Sequence, residues 1–305
     1  MIKTLQDEIL QLKKDKNAVI LAHCYQSKEI LEVADETGDS YNLSVSALKY
    51  ANCDTFIMCG VHFMAETVKI LSPNKRVILA NGNAGCPMAE QFTIKDVLKL
   101  RQQYPKASVV AYVNTTADLK SVCDVCVTSA TSVKICEKIP NDEIIFIPDC
   151  NLGSFTAERV PNKKFIFVQG GCPIHGNIPQ SDVLKAKQEH PNALVLCHPE
   201  CSPKVTQYAD YIGSTTGIMA YAKQSNSKEF IIGTENSIVD HLEYACPDKY
   251  FYPLSKDFIC ADMKLTTLPD VKKALLGVGG LEIDMSNELI SKAKVCIDNM
   301  VELGR

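Results

Sequence analysis

A cysteine recurs at an equivalent point of a triplicated unit, in Gly85-Cys86-Pro87, Gly171-Cys172-Pro173 and Ile259-Cys260-Ala261, at spacings of 86 and 88 residues. The flanks keep the same register. Asp96, Asp182 and Asp270 each lie ten residues past one of these cysteines and open Asp96-Val97-Leu98-Lys99, Asp182-Val183-Leu184-Lys185 and Asp270-Val271-Lys272-Lys273. Eleven residues beyond Asp7, Asp96 and Asp182 begin Ala18-Val19-Ile20-Leu21-Ala22-His23, Ala107-Ser108-Val109-Val110-Ala111-Tyr112 and Ala193-Leu194-Val195-Leu196-Cys197-His198. Each copy reads as a helix, a buried strand and a polar residue at the strand's end. A repeat of this kind sets the architecture before any single motif does.

The repeat divides the 305 residues into three small units, expected at 1–87 with 261–305, 88–172 and 173–260. Within each, short β-branched runs alternate with helical stretches, the pattern of parallel strands joined by helical crossovers, so the fold class is α/β. The second unit shows it best: 107–113, 124–128, 143–147 and 164–168 read as strands, with helices near 116–122, 131–138 and 151–160. Four strands suffice for a small parallel sheet. Three such units closing in a ring would have pseudo-threefold symmetry about a central site.

Hydrophobic residues make up 46% of the chain, enough for a core, and Lys+Arg 32 against Asp+Glu 36 leaves a net charge of −4. No basic block or aromatic-interleaved basic stripe is present, so a nucleic-acid partner is not expected. No apolar run approaches the roughly 20 residues that span a bilayer, so no membrane association is expected either. Ile2, Leu5, Ile9 and Leu12 fall at helical spacing among charged residues, unlike a secretion signal, which points to the cytoplasm. There, fourteen cysteines argue for reduced thiols or metal ligands rather than disulfides.

In open parallel sheets chemistry gathers beyond the carboxyl ends of the strands, where His23, Tyr112, Asn114, His198, Glu200 and the three repeated cysteines fall. Around a threefold axis, Cys86, Cys172 and Cys260 would present three thiolates to one cofactor, a geometry suited to an iron-sulfur cubane. Cubanes normally take four cysteine ligands, so three would leave one iron open as a Lewis acid, as three protein ligands do at catalytic zinc. A single cysteine is more often a small buried hydrophobe. Equivalence across the repeat, with glycine before and proline after in two copies, favours ligands; Cys260 lacks both neighbours and rests on register. Cys123-Asp124-Val125-Cys126 has no second C-x-x-C to pair with and enters a buried strand, so it reads as structural. Cys197 and Cys201 flank His198-Pro199-Glu200 but have no counterparts in the other units, which leaves them a supporting role. Gly38-Asp39-Ser40 is expected to cap a helix beginning near Tyr41, a role compatible with anion binding.

The runs Ala22-His23-Cys24-Tyr25-Gln26, Gly38-Asp39-Ser40, Cys59-Gly60-Val61-His62-Phe63-Met64-Ala65-Glu66-Thr67, Ala84-Gly85-Cys86-Pro87-Met88-Ala89, His198-Pro199-Glu200-Cys201, Gly213-Ser214-Thr215-Thr216-Gly217 and Cys260-Ala261-Asp262-Met263-Lys264 together resemble the quinolinate synthase family over nearly the whole chain. The resemblance implies three three-layer α/β/α sandwich domains in a triangle around one 4Fe-4S cluster. It also implies condensation of iminoaspartate with dihydroxyacetone phosphate to quinolinate, with loss of phosphate and two waters, in de novo NAD synthesis. Cys86, Cys172 and Cys260 match the family's cluster ligands. His23, Ser40, Tyr112, Asn114, Ser129, His198, Glu200 and Thr215 match its substrate pocket, and Tyr25 its acid-base tyrosine. Cys24 stands where the family often has Tyr or Asn, and Gly176 follows His175 where an acidic residue is common. The unstable imine makes an aspartate-oxidising enzyme a candidate functional partner.

The residue types suit that chemistry independently. Hydroxyls and amides bind substrate oxygens, Glu200 can remove a carbon-bound proton, and Tyr25 or His198 can exchange protons with leaving groups. The alternatives are an ordinary hydro-lyase with an open cluster iron, an electron-transfer protein and a metal-free triplicated binding module. Phosphate release separates the first, a substrate-responsive iron the second, and colour with iron content the third.

Overall fold

A computed structural model describes residues 1–305 as an α/β chain with three largely parallel sheets. The first contains β1 (Ala18–His23), β2 (Glu36–Gly38), β3 (Thr55–Cys59), β4 (Arg76–Leu79) and β13 (Leu281–Glu282), in the order β13-β4-β3-β1-β2. The second contains β5 (Ser108–Tyr112), β6 (Val125–Val127), β7 (Glu143–Ile147) and β8 (Lys164–Phe167), in the order β6-β5-β7-β8. The third contains β9 (Leu194–Cys197), β10 (Tyr211–Ile212), β11 (Glu229–Gly233) and β12 (Tyr250–Pro253), in the order β10-β9-β11-β12. The chain divides into two compact units: Met1–Ile94 with Val113–Val125 and Ala261–Asn299, and Lys95–Tyr112 with Cys126–Cys260 and Met300–Arg305. No helix is long and apolar enough to cross a membrane.

In the first unit, all six residues of β1 are buried. An unbroken apolar run of this kind belongs to a strand covered on both faces by crossover helices, rather than one with a wet face. Ile20, Ile57 and Ile78 join Ile9 of helix Ile2–Asp15 and Val271 and Leu275 of helix Leu268–Leu276 in one core. In the second unit, Val195 and Ile231 pack with Val183 of helix Gln180–Glu189 and with Phe258.

The repeat extends into the hydrogen bonds. Asp35 and Asp210 occupy the same repeat position, seventeen residues past Ala18 and Ala193. Their carboxylates accept from the N–H groups of Ile20 and Val195, each at 2.8 Å. Lys75, Lys163 and Lys249 stand immediately before β4, β8 and β12 and donate to carbonyls just ahead of the neighbouring strands β3, β7 and β11: Ala51 and Cys53, Ile139 and Asn141, and Ala222 and Ser225. Each ammonium satisfies carbonyls that have no partner within their own helix or loop.

The first sheet departs from the expected four parallel strands. A fifth, β13, pairs antiparallel with β4, Leu281 opposite Leu79 and Glu282 opposite Ile78. Two residues are too few to show alternation in sequence. The chain reaches this edge through Gly277, at φ +73°, and Gly280, at φ +79°. A Cβ at Gly280 would stand 2.7 Å from Ile78 Cγ2 and 2.9 Å from the Leu79 carbonyl, whereas one at Gly277 would meet nothing within 4 Å.

Two alanine substitutions therefore separate backbone strain from close approach. Gly277→Ala should destabilise by about 1–2 kcal/mol through the left-handed conformation alone. Gly280→Ala should lose a further ~1–3 kcal/mol because the new methyl cannot be accommodated without displacing β4. Parallel urea unfolding of both variants measures the difference.

Candidate active site

In the second unit, Tyr112, His198 and Glu200 meet just past the strand ends. The Tyr112 hydroxyl donates to Glu200 Oε1 at 2.6 Å. His198 follows β9 directly, and its Nδ1 accepts the backbone N–H of Glu200 at 3.3 Å. A ring nitrogen that accepts carries no proton, so in the neutral imidazole the proton sits on Nε2, which lies 3.2 Å from Ser129 Oγ. Burial pushes the His198 pKa down to about 4, against the pull of Glu200. The ring is therefore neutral near pH 7 and presents an N–H.

Glu200 is itself buried, which opposes its charge. The imidazoles of His198 and His175 and the hydrogen bonds from His175 and Tyr112 outweigh that penalty and hold its carboxyl below the usual carboxylate range. His175 supplies the closest of these contacts, with Nδ1 2.9 Å from Glu200 Oε2. Its Nε2 is 3.0 Å from Thr234 Oγ1, just past β11, and its ring centroid lies 5.0 Å from that of His198. Sequence reasoning noted His175 only for its neighbour Gly176. The signal available was its place three residues after Cys172.

Cys172 adjoins this group. Its Sγ is 3.3 Å from His175 Nδ1, and the donor atoms of Cys172, His175 and Glu200 all lie within 4.8 Å of one another. Its backbone N–H donates to Asp149 Oδ2 at 3.0 Å, while Asp149 Oδ1 caps helix Cys150–Arg159 by accepting from Leu152 N–H at 2.8 Å. A Cβ on Gly171 would lie 3.1 Å from that same Oδ2. The glycine of the Gly171-Cys172-Pro173 run thus admits the carboxylate. Burial, then the charge of Glu200, raises the Asp149 pKa to about 7 in spite of the two N–H bonds. Asp149 is the second residue that sequence reasoning missed.

In the first unit, His23 ends β1, and its Nδ1 accepts the Tyr25 N–H at 3.1 Å. This repeats the His198–Glu200 arrangement. The two aromatic rings meet edge to face with centroids 4.5 Å apart. Gln26 Nε2 donates to the Met263 carbonyl at 2.6 Å and Lys264 Nζ to the Tyr25 carbonyl at 2.5 Å, so the Tyr25 loop is held by the segment from Ala261 to Lys264. Asn114 presents a buried Oδ1 that has no hydrogen-bond partner.

Ser40 opens helix Ser40–Ala47, which begins one residue earlier than expected and is capped by Asp39 accepting from Asn42 N–H at 3.0 Å. Thr215 opens helix Thr215–Gln224 of the second unit, capped by Ser214.

None of the fourteen cysteines is in a disulfide; ten are buried, while Cys86, Cys150, Cys172 and Cys260 are partly exposed. Burial pushes the thiols of Cys59 and Cys136 up to about 12 and raises Cys201 as well. A metal needs the thiolate, so the buried set is poorly suited to ligation. The three repeat cysteines are among the four accessible thiols, and this donor chemistry fits an iron-sulfur cluster. Cys123 spends its thiol on the Leu119 carbonyl at 3.1 Å, and Cys126 is buried within β6.

Residues 7–302 match the family described as NadA, quinolinate synthetase A protein. A quinolinate synthase of Caldicellulosiruptor bescii is 47% identical over 99% of each chain. One from Clostridioides difficile is 46% identical over 100% of this chain and 99% of its own. One from the more distant Methanoregula boonei is 44% identical over 98% of each. With buried polar side chains at repeated strand ends and similarity running the length of the sequence, the chain belongs to the quinolinate synthetase A family.

Proposed function

We infer that this chain is a quinolinate synthase, joining iminoaspartate to dihydroxyacetone phosphate with release of phosphate and two waters in de novo NAD biosynthesis. The observation that carries the reading is Glu200. The carboxylate is kept charged in a buried setting by the hydrogen bonds of Tyr112 and His175, an arrangement suited to proton transfer and substrate orientation. We take the domains as 1–87 with 261–305, 88–172 and 173–260.

The substrates are small and anionic. Ser40, Ser129, Thr215, Asn114, His23 and Tyr112 are assigned to their oxygens and nitrogen as hydrogen-bond partners. His198, neutral with its proton on Nε2, is assigned to hydrogen-bond a substrate oxygen, steadying negative charge that gathers there as a group departs. Glu200 is always in its basic form and is assigned to accept the carbon-bound proton. Its low proton affinity is set partly by the Tyr112 hydrogen bond, and passing that bond to a substrate oxygen would raise it. Tyr25, its ring fixed against His23, exchanges protons at the second elimination. Cys86, Cys172 and Cys260 are assigned as ligands of one 4Fe-4S cluster, which when bound supplies a Lewis acid for a departing hydroxyl. An aspartate-oxidising enzyme is the class of partner that makes the imine. Fourteen cysteines outside any disulfide suit the reducing cytoplasm.

Anaerobic incubation with both substrates should yield quinolinate and phosphate together; phosphate-independent dehydration of a single hydroxy acid would replace this reading with an ordinary hydro-lyase. Alanine at Cys86, Cys172 or Cys260 should abolish iron and sulfide loading, whereas Cys123→Ala should load normally, as iron analysis of the purified variants will show. Tyr25→Phe keeps the ring packed on His23 but loses the transferable proton. Turnover should fall by roughly 10²-fold or more, with iron content unchanged and the loss in kcat.

A further inference from the structure

Lys120 is wholly buried. Its ammonium donates to the Val113 carbonyl at 2.8 Å and to the Thr115 carbonyl, and lies 5.7 Å from the centroid of the Phe63 ring. These are backbone and π partners rather than carboxylates. Burying a lysine away from water is costly, and these hydrogen bonds offset only part of that cost. What it grips is the pair of carbonyls on either side of Asn114. Between them, Thr115 N–H donates to the Val113 carbonyl at 2.8 Å, closing a three-residue turn with Asn114 at its apex. Asn114 Oδ1 is the buried acceptor that has no partner within the protein.

The repeat explains why a special device is needed here. Tyr25, Asn114 and Glu200 all stand seven residues past the alanine that opens their copy, and His23, Tyr112 and His198 five past it. In the first and third copies the turn is braced by the histidine, whose Nδ1 accepts the N–H of Tyr25 or Glu200. The second copy has Tyr112 in the histidine's place, without a ring nitrogen to accept. Lys120 itself has Leu31 and Thr206 as its repeat counterparts, so the cation is peculiar to the copy that lacks the imidazole. The short helix Ala117–Lys120 that carries it is anchored by Ala117 N–H donating to Glu66 Oε2 at 2.9 Å.

We propose that Lys120 is a positioning residue. By tying the Val113 and Thr115 carbonyls together it fixes the turn that aims the Asn114 amide oxygen at a donor on the substrate, an N–H or a hydroxyl, and it does so in place of the histidine used in the other copies. The inference rests on the quinolinate synthase reading.

The test is a double-mutant cycle on the iron-loaded enzyme with Lys120→Met, Asn114→Ala and the pair. Each single change should lower kcat/KM by about 10- to 100-fold, the scale of one lost hydrogen bond to substrate. The double variant should be no worse than the poorer single, since both remove the same contact. Lys120→Gln, which keeps an N–H donor for one carbonyl, should recover part of the loss at unchanged iron content. Multiplicative losses, or an unimpaired Lys120→Met enzyme, would overturn the proposal while leaving the quinolinate synthase reading intact. If neither neutral variant folds, Lys120 is a folding residue and the proposal falls. Wild-type protein that makes no quinolinate removes both readings.

Discussion

A carboxylate held charged without solvent is the interaction around which the second unit is arranged. Glu200 needs donors on both oxygens, and they come from separate parts of the fold: Tyr112 from the end of β5 and His175 from the short helix after Cys172. Removing one donor would leave an under-satisfied charge in a low-dielectric setting, where its penalty is largest. The polar network therefore constrains where β5, β9 and the Cys172 loop end.

The loop around Cys172 illustrates how local backbone chemistry serves that network. Gly171 has no side chain to exclude Asp149, so the carboxylate reaches the Cys172 N–H, while Pro173 begins the next helical turn where a missing N–H does no harm. The same Asp149 caps a helix with its other oxygen. One buried residue thus links the cysteine's backbone to a crossover helix, and its raised pKa follows from its own burial and then from the negative charge of Glu200 nearby.

Repetition and divergence divide the labour. Aspartates at equivalent positions brace β1 and β9, and equivalent lysines brace the entries to β4, β8 and β12; these contacts are architectural and stay alike. The residues seven past the opening alanine are Tyr25, Asn114 and Glu200, a phenol, an amide and a carboxylate. Similar turns therefore present three different chemistries. Where the bracing residue also changes, as at Tyr112, the turn is secured from elsewhere.

The sequence alone determined the strand-helix alternation, the repeat, the polar strand ends and the three cysteines, because period, register and residue type are local properties that survive without coordinates. The strand expected at 143–147 is β7 itself, and those expected at 107–113, 124–128 and 164–168 differ from β5, β6 and β8 by one residue at an end or at both. Residues distant in sequence, by contrast, were chosen as partners only by the tertiary structure. His175 and Asp149 carry no motif of their own and gain meaning only beside Glu200 and Cys172. The antiparallel β13 is two residues long, and its pairing depends on where two left-handed glycines aim the chain. The buried charge of Lys120 could not be read from its neighbours, since burial is a property of packing, and its partners are carbonyls that every residue possesses.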